Sequence, residues 1–204
     1  MCLQRLFSVV RAWKRATLFI IITKTYLETE RMILRDWCDE DRVPFARMNN
    51  DPLIMEYFPR PLREEDSNHL VEAFQKHFDK HGYGMYVLER KEDGAFMGFT
   101  GLQQVSPKFP FSSTKHRAVE IAWRLDYEYW GKGYASEAAR AVLNYGLETL
   151  KLPEIVAYCV HDNGRAIALI QKIGMHRVQN GGFHYPGLPK DHPLGQFNLY
   201  KIER

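Results

Sequence analysis

Cysteine is scarce in this chain: its 204 residues include three, Cys2, Cys38 and Cys159, an odd number with no CxxC or other metal spacing. That argues against a disulfide scaffold or a cysteine-built metal site. It fits a reducing compartment, and the expected location is the cytoplasm. A long apolar run is missing as well. The stretch ATLFIII (Ala16 to Ile22) follows a basic start, but it is far short of the roughly 20 residues a membrane-spanning helix needs, and no small-residue cleavage site comes after it. Nor does the body of the chain carry an excess of one charge. Of the 28 basic residues, Arg5, Arg11, Lys14, Arg15 and Lys24 precede the first acid, Glu28, and the 23 that remain face 25 acids. A nucleic-acid surface spread over the fold is therefore not expected. Repeats, low-complexity tracts and linkers are absent too. One domain is expected, residues 25–204, preceded by a basic extension, residues 1–24, that is loosely attached or lies as an amphipathic helix on a membrane surface.

What is present suffices for a core, with 45% hydrophobic and 13% aromatic residues. MILRDW (Met32 to Trp37) alternates like a strand, and the acids of Cys38-Asp39-Glu40-Asp41 then open a helix that runs to Met48. A proline-rich stretch follows, and Leu70, Ala73, Phe74 and Phe78 mark one face of a helix from Glu64 to Gly82. Gly84 to Val105 reads as two strands around the turn Glu92-Asp93-Gly94, and Ala118 to Leu125 as a third. A helix after Gly133, a buried strand Glu154 to Val160, a shorter helix ending at Gly174 and a last strand GQFNLYKI complete a mixed α/β pattern.

The chemistry concentrates in EYWGKGYASEAARAVLNYG (Glu128 to Gly146), two glycines one residue apart at the start of a helix. A Walker loop does not fit, because Asp126 falls where its first glycine belongs and Gly133 where its hydroxyl belongs. A Rossmann fingerprint fails at Ser136. What remains is Gly131-Lys132-Gly133-Tyr134-Ala135-Ser136 at a strand-to-helix junction, where backbone N–H groups and the helix N-terminus converge on a pyrophosphate. The bland alternative is a pair of turn glycines.

This arrangement resembles the acetyl-coenzyme A signature of the GNAT N-acetyltransferases, Q/R-x-x-G-x-G/A, with Gly133 and Ala135 in the last two marked positions and Trp130 in place of the Gln or Arg. That departure is similar to the ribosomal-protein N-terminal (RimJ/RimL-like) acetyltransferases. The segments TERMILRDWCDEDRVPFARMNNDPLIMEYFPRPL, GFTGL, VEIAWRL, EIVAYCVHDN, IQKIGM and HPL followed by LYKIER also resemble that family, in order, from Thr29 to the C-terminus. The resemblance implies a mostly antiparallel central sheet whose middle strands splay, flanked by helices. The coenzyme arm would enter the gap, bonded to free main-chain groups near Trp123 and Leu125 and to Asn163, with the amides of Gly131 to Ser136 on the pyrophosphate. Lys132 would add charge there. Asn163 has a second reading as a helix N-cap.

Acetyl transfer to an amine asks for a base, donors for the developing oxyanion and an acid for the thiolate. The resemblance places the base at Glu120, in an otherwise apolar strand; an ordinary ion-paired glutamate is the alternative reading. The hydroxyls that relatives use for the thiolate fall here on Ile170 and Ala166, which leaves Tyr158, His161 and Tyr134 as candidates, or solvent. Tyr57 and Phe58 are assigned to the acceptor pocket, and Phe183 to Leu194 to its other side. His77 and His81, four apart on a helix, are expected on a solvated face, and no metal is expected. Cys159 as a covalent acetyl carrier is a secondary mechanism, since a thiol inside a strand is usually inert. The expected activity is transfer from acetyl-CoA to a primary amine, of a protein N-terminus or a small molecule, in a ternary complex of a monomer or homodimer. The alternative class is a non-catalytic acyl-CoA-binding sensor.

Overall fold

In the computed structural model, which describes residues 23–113 and 117–204, nine strands form a single sheet. They are β1 (Thr25–Glu28), β2 (Met32–Arg35), β3 (Met85–Arg90), β4 (Phe96–Gln104), β5 (Val119–Leu125), β6 (Glu154–Val160), β7 (His176–Arg177), β8 (Phe183–His184) and β9 (Gln196–Glu203). Their spatial order is β1-β2-β3-β4-β5-β6-β9-β7, with β8 also on β9. Every pairing is antiparallel except that of β5 with β6. The expected extension, residues 1–24, lies outside the described residues up to Ile22, and so does the apolar stretch Ala16 to Ile22. No helix among the described residues is long and apolar enough to cross a membrane.

Helices α1 (Arg42–Asn50) and α2 (Glu64–His81) cover one face, and α3 (Tyr134–Asn144) and α4 (Gly164–Lys172) belong to the other half of the chain. Their boundaries follow local rules. Three acids, Glu64, Glu65 and Asp66, open α2, and Gly82 ends it at φ 74°, a left-handed conformation that glycine adopts freely. α3 runs on into a π-helical turn, Tyr145–Thr149, where Gly146 presses against the sheet: a Cβ there would stand 2.6 Å from Ile155 Cδ1. Ala138, Ala139, Val142 and Leu143 of α3 pack with Ile121, Leu125, Leu102 and Ile155 of the sheet. On the opposite face Trp37, Phe45, Phe74 and Phe99 form a second cluster beneath α1 and α2.

Strands β1, β7 and β8 were not expected from the sequence. With two to four residues each, they are too short to display an alternation, and they exist because a neighbour offers an edge. The expected solvated face for His77 is also wrong. Its Nδ1 lies 3.0 Å from the Tyr83 carbonyl and its Nε2 accepts the Gln104 amide at 3.0 Å, so the neutral ring pins α2 to the strands below. With both nitrogens engaged, His77 has no lone pair free for a metal.

One ion-pair network sets where α1 begins. Arg35 donates from Nη1 and Nη2 to the two oxygens of Asp41, at 2.7 and 2.8 Å, and from Nε to Glu89 at 2.5 Å. Arg35 and Asp41 are both buried. The Cys38 thiol donates to the same carboxylate, and burial followed by that contact pushes it up to about 12, far from a reactive thiolate. Asp41→Asn leaves a buried guanidinium short of charge and should cost about 3–5 kcal/mol in urea unfolding; a loss under about 1 kcal/mol would show that the pair is dispensable.

His77 makes stability depend on pH. Burial, then His81 and Lys80, hold it below its ordinary value of 6.5. Between that lowered value and 6.5 the unfolded chain binds more protons than the folded one, so stability is full above pH 6.5 and declines as the pH falls through the window. His81, lowered by slight burial and by Lys80 and Arg117, acts in the same direction. In His77→Asn the slope between pH 6.5 and 5 should shrink; an unchanged slope would contradict the assignment.

Candidate active site

The sheet is not continuous through its middle. β4 and β5 are in register over seven pairs, Gly98↔Leu125 to Gln104↔Val119, and β6 and β9 over seven, but β5 and β6 meet only at Glu120↔Val156. Beyond that point they part, and a cleft of about 840 Å³ opens between them. The bonds Val105 N→Ala118 O (2.8 Å) and Asp126 N→Met97 O (2.9 Å) fix the even-numbered residues of β5 as those joined to β4. The main-chain groups of Ile121, Trp123 and Leu125 therefore turn toward β6. The same alternation sends the side chains of Ile121, Trp123 and Leu125 to the α3 side and those of Glu120, Ala122 and Arg124 to the side of α1 and α2.

Trp130 corrects one detail of the expectation: its indole Nε1 donates to the Leu125 carbonyl at 2.9 Å, so that oxygen is already engaged and only the amide of Leu125 remains unclaimed in the gap. The guanidinium of Arg165 covers the same indole at 4.7 Å and pairs with Glu56, which spans from α4 to the loop carrying Tyr57 and Phe58. Both aromatics line the cleft.

At the end of β5 the chain turns through Gly131 (φ 72°) and Gly133 (φ 83°) into α3. Side chains would be strained at both points, and their absence leaves the main chain bare. The amides of Gly131 to Ser136 find no main-chain partner among the described residues, and the first helical bond at this junction is Glu137 N→Gly133 O at 3.1 Å. Gly131, Gly133, Ala135 and Ser136 line the cleft; the side chains of Lys132 and Tyr134 do not. Arg31, from the β1–β2 turn, braces this junction in a way the sequence did not reveal. It donates from Nε to Glu137 at 2.7 Å and from Nη1 to the Lys132 carbonyl at 3.0 Å, and it stacks on Tyr134 at 4.2 Å. The partners lie about a hundred residues apart, so no local pattern announces them.

Asn163 lines the cleft and also caps α4, its Oδ1 accepting the Ala166 amide at 3.0 Å. The cap uses the oxygen and leaves the side-chain amide donors over.

Glu120 lies at the closed end of the gap, 6% exposed. Gln103, its partner across β4 and β5, donates Nε2 to Oε1 at 2.5 Å, and the Tyr158 hydroxyl of β6 bonds to the same carboxyl. Burial pushes the carboxyl above the usual 4.5, while the bonds from Tyr158 and Gln103 pull it back. Burial, then the charge of Glu120, raise the Tyr158 phenol, so it stays protonated and serves as a donor. Tyr185 is raised for the same two reasons. Phe109, Phe183, Tyr185 and Phe197 gather around Tyr158, with Phe109 to Tyr185 at 5.2 Å and Tyr185 to Phe197 at 4.9 Å. The segment Phe183 to Leu194 thus reaches the cleft through Tyr185, Leu188 and Leu194, whereas His184 and His192 stay outside its lining. Of the three candidates for the thiolate acid, Tyr158 lines the cleft and His161 and Tyr134 do not. Burial raises the Cys159 thiol to about 11, which disfavours it as an acetyl carrier.

The comparisons with known proteins agree with this geometry. The sequence profile described as an acetyltransferase (GNAT) domain matches residues 31–176. The protein YkkB of Bacillus subtilis (strain 168), itself uncharacterized, is 31% identical over 154 residues, 75% of this chain and 86% of the relative. Spermidine N(1)-acetyltransferase of Escherichia coli (strain K12) is 27% identical over 136 residues, 66% of this chain and 67% of the relative. The crystal structure of a GNAT-family acetyltransferase from Bacillus anthracis superposes with a TM-score of 0.69 at 25% identity, covering 89% of this chain and 98% of that one.

The surroundings of Glu120 define a titration. Both hydrogen bonds favour the charged form, so Tyr158→Phe and Gln103→Leu should each raise the carboxyl further, read by infrared titration of the protonated carboxyl band with Glu120→Gln as the blank. A value that stayed put or fell in Tyr158→Phe would contradict the bonding described.

Proposed function

The chain belongs to the acetyltransferase (GNAT) family and is an N-acetyltransferase, and from that premise we propose that residues 25–204 form a unit that transfers the acetyl group of acetyl-CoA directly to a primary amine in a ternary complex. The observation that carries this reading is the position of Glu120: a buried carboxyl at the closed end of a gap between strands, with a bare helix N-terminus on the same cleft.

The residues present fit the coenzyme. The inward-turned main-chain groups of Trp123 and the amide of Leu125 offer an extended arm the bonds a neighbouring strand would have made. The amides of Gly131 to Ser136, at the positive end of α3, suit a pyrophosphate, and Asn163 has donors left after capping. Bound there, the thioester supplies an acyl carbon activated toward nitrogen nucleophiles.

Glu120 acts as the base, taking the proton of the acceptor amine directly or through water. Its raised affinity for protons brings it closer to the amine it must deprotonate. Tyr158 and Gln103 hold the carboxylate in place. The leaving group has the acidity of a thiol and departs without a dedicated acid in the positions of Ile170 and Ala166. Trp130, standing where most relatives would carry Gln or Arg, favours the RimJ/RimL-like subgroup, and Tyr57 and Phe58 form the acceptor side of the cleft. An α-amine is roughly one-tenth neutral at pH 7, far more than a lysine-type amine, which suits a protein N-terminus; the spermidine enzyme among the relatives keeps small amines in the same class.

Calorimetric titration with acetyl-CoA, followed by thiol release with a panel of amines and N-terminal peptides, tests the reading. Glu120→Gln should retain coenzyme affinity and lose about 10²–10⁴-fold in kcat. The wild type should show a rise in kcat/KM with pH whose midpoint lies above 4.5, absent from the variant. A variant that turned over as fast as wild type at every pH would remove Glu120 from the chemistry; binding without release across the panel would favour the non-catalytic sensor.

A further inference from the structure

Four residues along β5 from Glu120, on the same face, stands a cation without an anion. Arg124 lines the cleft, and its Nη1 donates to Asn49 Oδ1 at 2.5 Å. Its Nε is sealed from solvent and has no hydrogen-bond partner, and no carboxylate among the described residues pairs with it. Its other neighbours are π faces, Phe58 at 4.3 Å and Phe99 at 5.6 Å.

The nearby acids are committed elsewhere. Asp126 pairs with Arg47 at 3.3 Å and caps Glu128, Glu56 pairs with Arg165, and Glu120 is held by Gln103 and Tyr158. Asn49 is neutral, fully buried and itself fixed by donating to Ser67. Burial lowers the guanidinium to about 10, with no opposing charge to offset it, yet an arginine keeps its proton at neutral pH. A half-buried guanidinium with one N–H sealed from water and unpartnered is unfavourable in the free protein and becomes favourable when a ligand brings the missing anion.

The anion is not expected from the coenzyme's pyrophosphate. The amide cradle opens α3, which packs on the other face of β5, whereas Arg124 points to the side of α1 and α2, under Phe58 of the acceptor loop. We infer that Arg124 binds a carboxylate or similar anionic group of the acceptor, whose amine and negative charge then fit within the roughly 13 Å that four residues of strand span between Glu120 and Arg124. The inference rests on the acetyl-transfer reading above and narrows its acceptor to anionic or zwitterionic amines, such as an amino acid with a side-chain amine or a peptide with an acid near its N-terminus. Polyamines are disfavoured, since their second charge would meet a cation.

Three acceptors of one length separate the outcomes: 6-aminohexanoate, 6-aminohexanamide and 1,6-diaminohexane, compared at one pH in wild type, Arg124→Gln and Arg124→Lys. Wild type should rank them carboxylate, amide, diamine in kcat/KM, with about 10-fold or more between the first two. Arg124→Gln should compress that ratio toward one at unchanged acetyl-CoA affinity, and Arg124→Lys should restore part of it. If none of the three turns over, calorimetric affinities for the CoA-loaded wild type are required to follow the same order. Equal preference in wild type, a preferred diamine, or an order unaltered by Arg124→Gln would overturn the inference, as would loss of CoA affinity in that variant, which would assign the cation to the coenzyme. Failure of wild type to bind acetyl-CoA at all would overturn the acetyl-transfer reading instead.

Discussion

The constraint on which the site depends is the single register pair that joins β5 to β6. A strand edge inside a sheet is costly to leave bare, because main-chain N–H and C=O groups removed from water need partners. Here Glu120↔Val156 is made and the next positions are not, so Trp123 and the amide of Leu125 face a gap instead of a neighbour. The chain meets part of the demand itself, by turning the Trp130 indole back onto the Leu125 carbonyl. What is left unmade has the shape of one missing strand, and an extended ligand with alternating amides is the chemistry that fills it.

Holding two halves of a sheet apart requires that each be rigid alone. On one side β4 and β5 pair over their whole length, and on the other β6 is held by β9. α3 crosses between them, and the closeness of its end to the sheet depends on Gly146, where any Cβ would enter Ile155. Its beginning is tied from a third direction by Arg31. Although burial works against it, the Glu137 carboxyl is kept low by bonds from Thr29 and Arg31, so a full negative charge stands at the first turn and Arg31 neutralises it. Without that pairing the carboxylate would oppose any phosphate placed at the same helix end.

Much of this frame was legible in the sequence because it is written in local rules. Alternation identified β2 to β6 and β9, the glycines at 82 and 174 closed helices, and Gly131 and Gly133 marked the turn into α3. The resemblance to a family then placed Glu120 and Asn163 in the cleft they now line. The rest depends on contacts distant in sequence. Arg31 reaches Glu137 across most of the fold, Tyr185 arrives from an irregular segment, and the pinning of His77 needs the β3–β4 hairpin to be in place first. Gln103 is the intermediate case: counting back from the hairpin register would have put it opposite Glu120, but only once the register of β4 with β5 was known.

The electrostatic plan of the cleft follows from the same strand. Alternation puts Glu120 and Arg124 on one face, and the splay makes their surroundings differ. Glu120 sits where the strands still touch, walled by aromatic rings and served by two donors, so its charge is costly but supported. Arg124 sits where they have parted, with a neutral amide and two rings for company. A strand that carries a proton acceptor at one end of a cleft and an unsatisfied cation at the other imposes a polarity on whatever lies along it. An amine end is drawn to the first and an anionic end to the second, and that orients the nucleophile before any reaction begins.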